Sequence, residues 1–289
     1  MRRLFAMVLA MVMVMSLAAC TSTEEETSTL VNQTPDVQGV EDGVLTVGME
    51  CAYAPYNWTQ LDESNGAVPI ANVPGSYANG YDVIIAKKIC ETYGWELEVM
   101  AIGWDGLTPA LNAGTIDAVI AGQSMTADRK AEVDMAGPYY YASIVCVTKE
   151  NSPLANATGI SQLSGACTAQ TGTIWYDSCL PQIASAELMP AAETSPAMIM
   201  AVTSGSVDFI CTDMPTAMGA RAAYEGLKIL DFTGTEDNFE VSQEEIDIGI
   251  SVIKGNTELR DLMDQVLSTM TVDDFNSLMD QAISMQPEI

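Results

Sequence analysis

Apolar and polar positions fall into two kinds of block along this chain. Short continuous apolar runs at 44–49, 96–101, 116–121, 144–148, 166–170, 207–212 and 248–253 read as strands. Between them lie segments with helical spacing: 82–91, where Val83, Ala86, Ile89 and Cys90 share one face, then 107–113, stopped by Gly114, and 126–133, with Thr126 placed as a cap. A second series has short helical turns at 161–163 and 173–180 and helices at 197–204, 257–270 and 272–285. Strand alternating with helix predicts an α/β fold with largely parallel sheets. Two successive series predict two lobes, 44–142 plus 249–289 and 143–248, joined by two hinge crossings. In such folds a ligand sits at the carboxyl ends of the strands, between the lobes.

The chain opens differently. Arg2 and Arg3 precede sixteen residues, 4–19, that are apolar apart from Ser16, and Leu17, Ala18 and Ala19 lead into Cys20. Charged start, apolar run and small-residue ending predict a secretory signal peptide over 1–19, the run being shorter than the ~20 residues a spanning helix needs. The ending resembles the lipobox of bacterial lipoproteins, which implies that Cys20 is lipidated and becomes the first mature residue. Residues 21–43 are rich in Thr, Ser and Glu, so 20–43 is expected to be a disordered tether. This predicts an extracytoplasmic domain that meets the membrane through its lipid alone.

Charge narrows the partners. The net charge is −28, and without Arg2 and Arg3 nine basic residues face 39 acidic ones. That excludes nucleic acid and anionic lipid surfaces as partners and weakly favours a cationic ligand, although a solvated acidic surface explains most of it. Histidine is absent, which removes His-based triads and the usual general base. Six cysteines remain after Cys20, without zinc-type spacing, so either disulfides or isolated buried thiols fit. No metal or cofactor is expected.

The motifs GYDV (80–83), WDGLTPAL (104–111), GTID (114–117), AGQSMTADR (121–129), QTGT (170–173) and GSVDFICTD (205–213) occur in that order. Together they resemble the type 3 extracellular solute-binding proteins of polar amino-acid ABC importers, from about residue 44 to 285. The resemblance implies a two-lobed fold of the type II periplasmic-binding-protein kind. It also implies an amino-acid ligand, delivery to the permease subunits of an ABC importer, and a monomer.

A pocket for a free amino acid needs a cation for the carboxylate and an anion for the ammonium. Arg129 suits the first, because its planar fork donates two parallel hydrogen bonds. Gly122, Ser124 and Thr126, just before it, add N–H groups and hydroxyls. Asp213 suits the second and can also cap the helix that follows, with Thr212 as a companion. By the resemblance, Tyr53 and Trp104 form aromatic walls, Thr173 and the Ile174 backbone close over the carboxylate, and Tyr139, Tyr140 and Tyr141 pack at the hinge. Glu50 stands where many relatives carry aspartate. With Gln170 as a neutral acceptor, it favours a cationic or neutral polar ligand. The segment 57–79, longer than usual, is expected to cover the cleft mouth. Two rival readings are a cyclohexadienyl-dehydratase-like enzyme with Glu50 as its acid, and a sensory module. The absent histidine opposes the first. The chain's ending at Ile289 without a signalling domain opposes the second.

Overall fold

The computed structural model describes residues 37–287. The expected signal peptide, Cys20 and the tether up to residue 36 lie outside the described residues. In chain order the strands are β1 (Val44–Met49), β2 (Ala52–Tyr53), β3 (Asn57–Gln60), β4 (Val68–Pro69), β5 (Tyr77–Asn79), β6 (Glu96–Ala101), β7 (Ala118–Ser124), β8 (Val133–Tyr141), β9 (Ile144–Lys149), β10 (Ser164–Thr168), β11 (Ser185–Leu188), β12 (Phe209–Asp213), β13 (Leu227–Leu230) and β14 (Asp247–Ile253). The helices are α1 (Tyr81–Tyr93), α2 (Trp104–Asn112), α3 (Ala127–Glu132), α4 (Ser195–Ser204), α5 (Met214–Ala223), α6 (Gln243–Ile246), α7 (Thr257–Leu267) and α8 (Val272–Met285).

Lobe 1 carries a sheet ordered β6-β1-β7-β14-β8, in which β6, β1 and β7 are parallel and β14 runs antiparallel to both neighbours. Lobe 2 repeats the plan as β11-β10-β12-β9-β13, with β11, β10 and β12 parallel and β9 antiparallel. The central strands β7 and β12 are buried along nearly their whole length, which is why they read as continuous apolar runs rather than alternating ones. Helix α8 touches α1 of lobe 1 and α5 of lobe 2.

The chain crosses between lobes after Tyr141 and returns at β14. Lobe 1 resumes at Asp247, which pairs with Tyr141, and the Ala142 N–H donates to the Ile246 carbonyl at 2.8 Å, so the two crossings run side by side. Fixing the sheets this way puts Glu50 just past β1, Ser124 at the end of β7, Gln170 just past β10 and Asp213 at the end of β12. All four are carboxyl ends, as the strand–helix alternation implied.

Two expectations need correction. First, residues 37–43 are not a disordered tether. Val37 and Val40 are fully buried in the core, and the Asn256 side chain donates to the Gln38 carbonyl at 2.8 Å. Two valines in a polar stretch suffice to dock a turn on lobe 1. Second, 57–79 does not cover the cleft. Its strands β3, β4 and β5 join β2 in a small antiparallel sheet ordered β2-β3-β5-β4, clipped to the edge of lobe 1 where the Ala71 N–H donates to the Val99 carbonyl at 2.8 Å. The helical turn expected at 173–180 is present, as one widened turn, Trp175–Cys179, followed by a tight turn, Leu180–Gln182, rather than as an α-helix. Pro181 lacks the N–H that an α-helix would need there. The six cysteines within the described residues are buried free thiols. No described helix is long and apolar enough to cross a membrane.

Val40→Asp tests the docked segment. It should lower the thermal unfolding midpoint by roughly 5 °C or more, because an unpaired carboxylate in the core costs a few kcal/mol. A midpoint equal to wild type would mean that 37–43 is a free tether after all.

Candidate functional site

A cleft of about 500 Å³ opens between the lobes. Lobe 1 contributes Tyr53, Trp104, Gly122, Ser124, Thr126 and Arg129, and lobe 2 contributes Gln170, Thr173 and Ile174. Nine of the twelve ligand-contact residues expected from the sequence therefore meet in one cavity.

Local structure aims Arg129. Thr126 caps α3, its hydroxyl accepting from the Arg129 N–H at 3.3 Å. Being two residues into a short helix, Arg129 turns its guanidinium back to donate to the Ser124 carbonyl, and the guanidinium carbon lies 5.6 Å from the centre of the Trp104 ring. Among the described residues it has no carboxylate partner. Burial lowers its pKa from the usual arginine value, with Glu132 opposing. A desolvated guanidinium with no ion-pair partner can receive an anion.

Gly122 is required by its neighbours. Its φ is +64°, and a Cβ there would lie 2.6 Å from Tyr53 Cε1. Only glycine lets the Tyr53 ring lie flat against this strand end. Thr173 donates from its hydroxyl to the Gln170 carbonyl at 2.7 Å, which closes the turn that brings Ile174 and Trp175 to the wall.

Glu50, Thr212 and Asp213 do not line the cavity; they form the layer behind it. Gln170 Nε2 donates to both Glu50 carboxylate oxygens, at 3.2 and 3.3 Å, across the lobes. Asp213 caps α5, accepting from the Thr216 N–H at 2.9 Å, and its other oxygen accepts from the hydroxyls of Tyr56 at 2.8 Å and Tyr53 at 3.2 Å. The Thr212 hydroxyl is buried without a hydrogen-bond partner.

Residues 45–283 match the family described as bacterial extracellular solute-binding proteins, family 3. The chain belongs to that family. It is 25% identical over 232 residues to an L-arginine-binding protein of Pseudomonas aeruginosa, covering 75% of this chain and 79% of that one. It is 26% identical over 227 residues to a probable histidine-binding protein of Campylobacter jejuni, covering 78% of each. In fold it is similar to a substrate-binding protein of an amino-acid ABC transporter from Streptococcus pneumoniae bound to L-arginine, with a TM-score of 0.73, 22% identity, and coverage of 86% of this chain and 97% of that one.

The solute-binding protein's cleft also has residues the sequence did not single out. Trp175 forms part of its wall, and its ring centre is 6.2 Å from that of Tyr53. Five carboxylates line the cavity: Asp128 and Glu132 from α3, Asp177 from the widened turn, and Glu244 and Glu245 from α6. Lys130 pairs with Glu244 at 3.1 Å, and Glu245 accepts from the Ser242 N–H at 2.7 Å. Asp128 lies inside the AGQSMTADR motif, but the other four come from three separate stretches of chain that no motif covers. Tyr56, three residues after Tyr53, was equally silent until the lobes were seen together. Tyr139 and Tyr140 pack as expected at the hinge, stacked on or edge-on to Tyr81.

Burial pushes the Glu50 carboxyl of the solute-binding protein up to about 7, against the Gln170 hydrogen bond and with some repulsion from Asp105. A carboxyl raised on folding favours the folded state below its ordinary pKa and loses that contribution as pH rises through 7. Glu50→Gln removes the buried charge. It should therefore raise the thermal midpoint at pH 8 by roughly 2–4 °C, with the gain vanishing near pH 5. An equal change at both pH values would show that Glu50 is not the titrating group.

Proposed function

We propose that this protein captures an amino acid with a cationic side chain outside the cytoplasm and delivers it to an ABC importer, held at the membrane by a lipid on Cys20. The carrying observation is the charge layout of the cleft. One guanidinium with no ion-pair partner among the described residues, Arg129, shares the cavity with five carboxylates, one of them paired to Lys130. Such a cavity suits a ligand with one carboxylate and an excess of positive charge.

The parts divide the ligand between them. Arg129 takes the α-carboxylate bidentately, with Ser124, Thr126 and Thr173 beside it. Tyr53 and Trp104 flank an aliphatic or guanidinium stem, where aromatic faces favour a cation. Glu50, once ionised, pairs with the cationic head, and Asp213 takes the α-ammonium. The named relatives that bind L-arginine, or histidine as a probable ligand, support this class. The relatives named above are amino-acid-binding proteins, which does not favour the dehydratase-like reading.

Calorimetry against the standard amino acids should find arginine, lysine or histidine binding at micromolar or tighter concentrations, and aspartate and glutamate not at all. Arg129→Ala should weaken the best ligand roughly a hundredfold, the effect of leaving its carboxylate unpaired at about 3 kcal/mol. Tight binding of an acidic amino acid, or full affinity without Arg129, would overturn the proposal.

A further inference from the structure

The aromatic side chains that line the cleft are not equally committed to the protein. Trp104 has the Arg129 guanidinium over its ring, with the guanidinium carbon 5.6 Å from the ring centre. Tyr53 gives one face to Tyr56, the two rings stacked at 4.8 Å and 18°. Trp175, from lobe 2, has neither a cation over it nor a parallel ring against it among the described residues. Its aromatic neighbour is Tyr53, tilted by 58° with the ring centres 6.2 Å apart. The two rings meet as a corner, one side from each lobe, and both line the cavity.

The turn that carries Trp175 is anchored on both sides. The N–H groups of Tyr176 and Asp177 donate to the Thr173 carbonyl, at 3.2 and 3.1 Å. The Tyr176 hydroxyl donates to the Met189 carbonyl, just past β11, at 2.9 Å. Cys179 and Leu180, where the turn ends, are buried in the lobe 2 core. A widened turn bonds i to i+5 and so takes in one residue more than an α-helical turn, a distortion frequent at functional sites. Here Trp175, Asp177 and Ser178 all line the cavity while Cys179 stays in the core. Trp175 itself is only 6% exposed, so its ring is held by packing and loses little freedom on meeting a ligand.

We propose that Trp175 is a specificity-determining residue, the lobe 2 aromatic face that receives the ligand's cationic head and selects a flat guanidinium over a compact ammonium. This rests on the reading of the cleft as a site for a cationic amino acid. Indole is the strongest of the aromatic faces for a cation. A guanidinium is planar and weakly hydrated, so it lies on a ring and keeps its N–H edge for a carboxylate, whereas an ammonium gives up a tighter hydration shell. Asp177, two residues further along the turn, brings a carboxylate to the same cavity. An uncharged ureido group of guanidinium shape gains the contact area and not the electrostatic attraction. Trp175 therefore separates arginine from citrulline as well as from lysine.

Calorimetric titration of L-arginine, L-citrulline and L-lysine against wild type and Trp175 variants reads this as ratios of affinity. Wild type should bind arginine more tightly than lysine, and the reverse order would overturn the proposal without any variant. Trp175→Leu should cut the arginine-to-citrulline ratio ~10-fold, and Trp175→Phe, which keeps a ring, by no more than ~3-fold. A purely structural role would weaken arginine and citrulline alike, so a wild-type ratio in Trp175→Leu would overturn the proposal. A ratio as low in Trp175→Phe as in Trp175→Leu would also overturn it, because the ring would not be what counts. If Trp175→Leu loses the native circular-dichroism spectrum, Trp175→Met, a more adaptable filler, is read by the same criterion. Wild type that binds no amino acid would overturn the functional proposal and this inference with it, whereas arginine binding with an unmoved ratio overturns this inference alone.

Discussion

A carboxylate taken out of water must be given donors, and this chain takes three out of water: Glu50, Asp82 and Asp213. Each solution ties distant parts of the chain together. Asp82, at the start of α1, accepts from Asn57 Nδ2 and from the Tyr139 hydroxyl, both at 2.7 Å, and the same hydroxyl accepts from the Gly122 N–H at 2.9 Å. That network joins the helix start, the hinge strand and the glycine of the cleft wall. Asp213 draws two tyrosines from the other lobe, and Glu50 draws Gln170. Burial raises the carboxyl of Asp82 to about 6 and that of Glu50 to about 7, so both stand close to titration at neutral pH.

The same constraint shapes the cleft. The buried acids already use protein donors, so on the proposed reading a cationic ligand would replace some of those donors. A pocket that exchanges neutral donors for a cation discriminates by charge more than by shape. Arg129 is the inverse case, a cation whose guanidinium donates to the Ser124 carbonyl and lies over the Trp104 face.

Much of this was legible in the sequence because it depends on local order. The strands at 44–49 and 96–101 and the helix at 272–285 have the bounds that the apolar pattern implied, and Thr126 and Asp213 are the caps their positions suggested. What stayed hidden depends on tertiary return. The acids of α6 reach the cleft only because β14 comes back into lobe 1, and Tyr56 matters only because lobe 2 places Asp213 above it. Residues 37–43 misled for a different reason. Their composition is that of a tether, and two buried valines outweigh it only where lobe 1 offers a place for them.

The central claim is that a cationic side chain ionises Glu50. Calorimetric titration with L-arginine at pH 7, repeated in buffers of different ionisation enthalpy, reads this directly as protons exchanged on binding. A carboxyl that is about half protonated before binding and ionised afterwards gives net proton release, and the release disappears in Glu50→Gln. Binding with no proton exchange, or with proton uptake, would contradict the account.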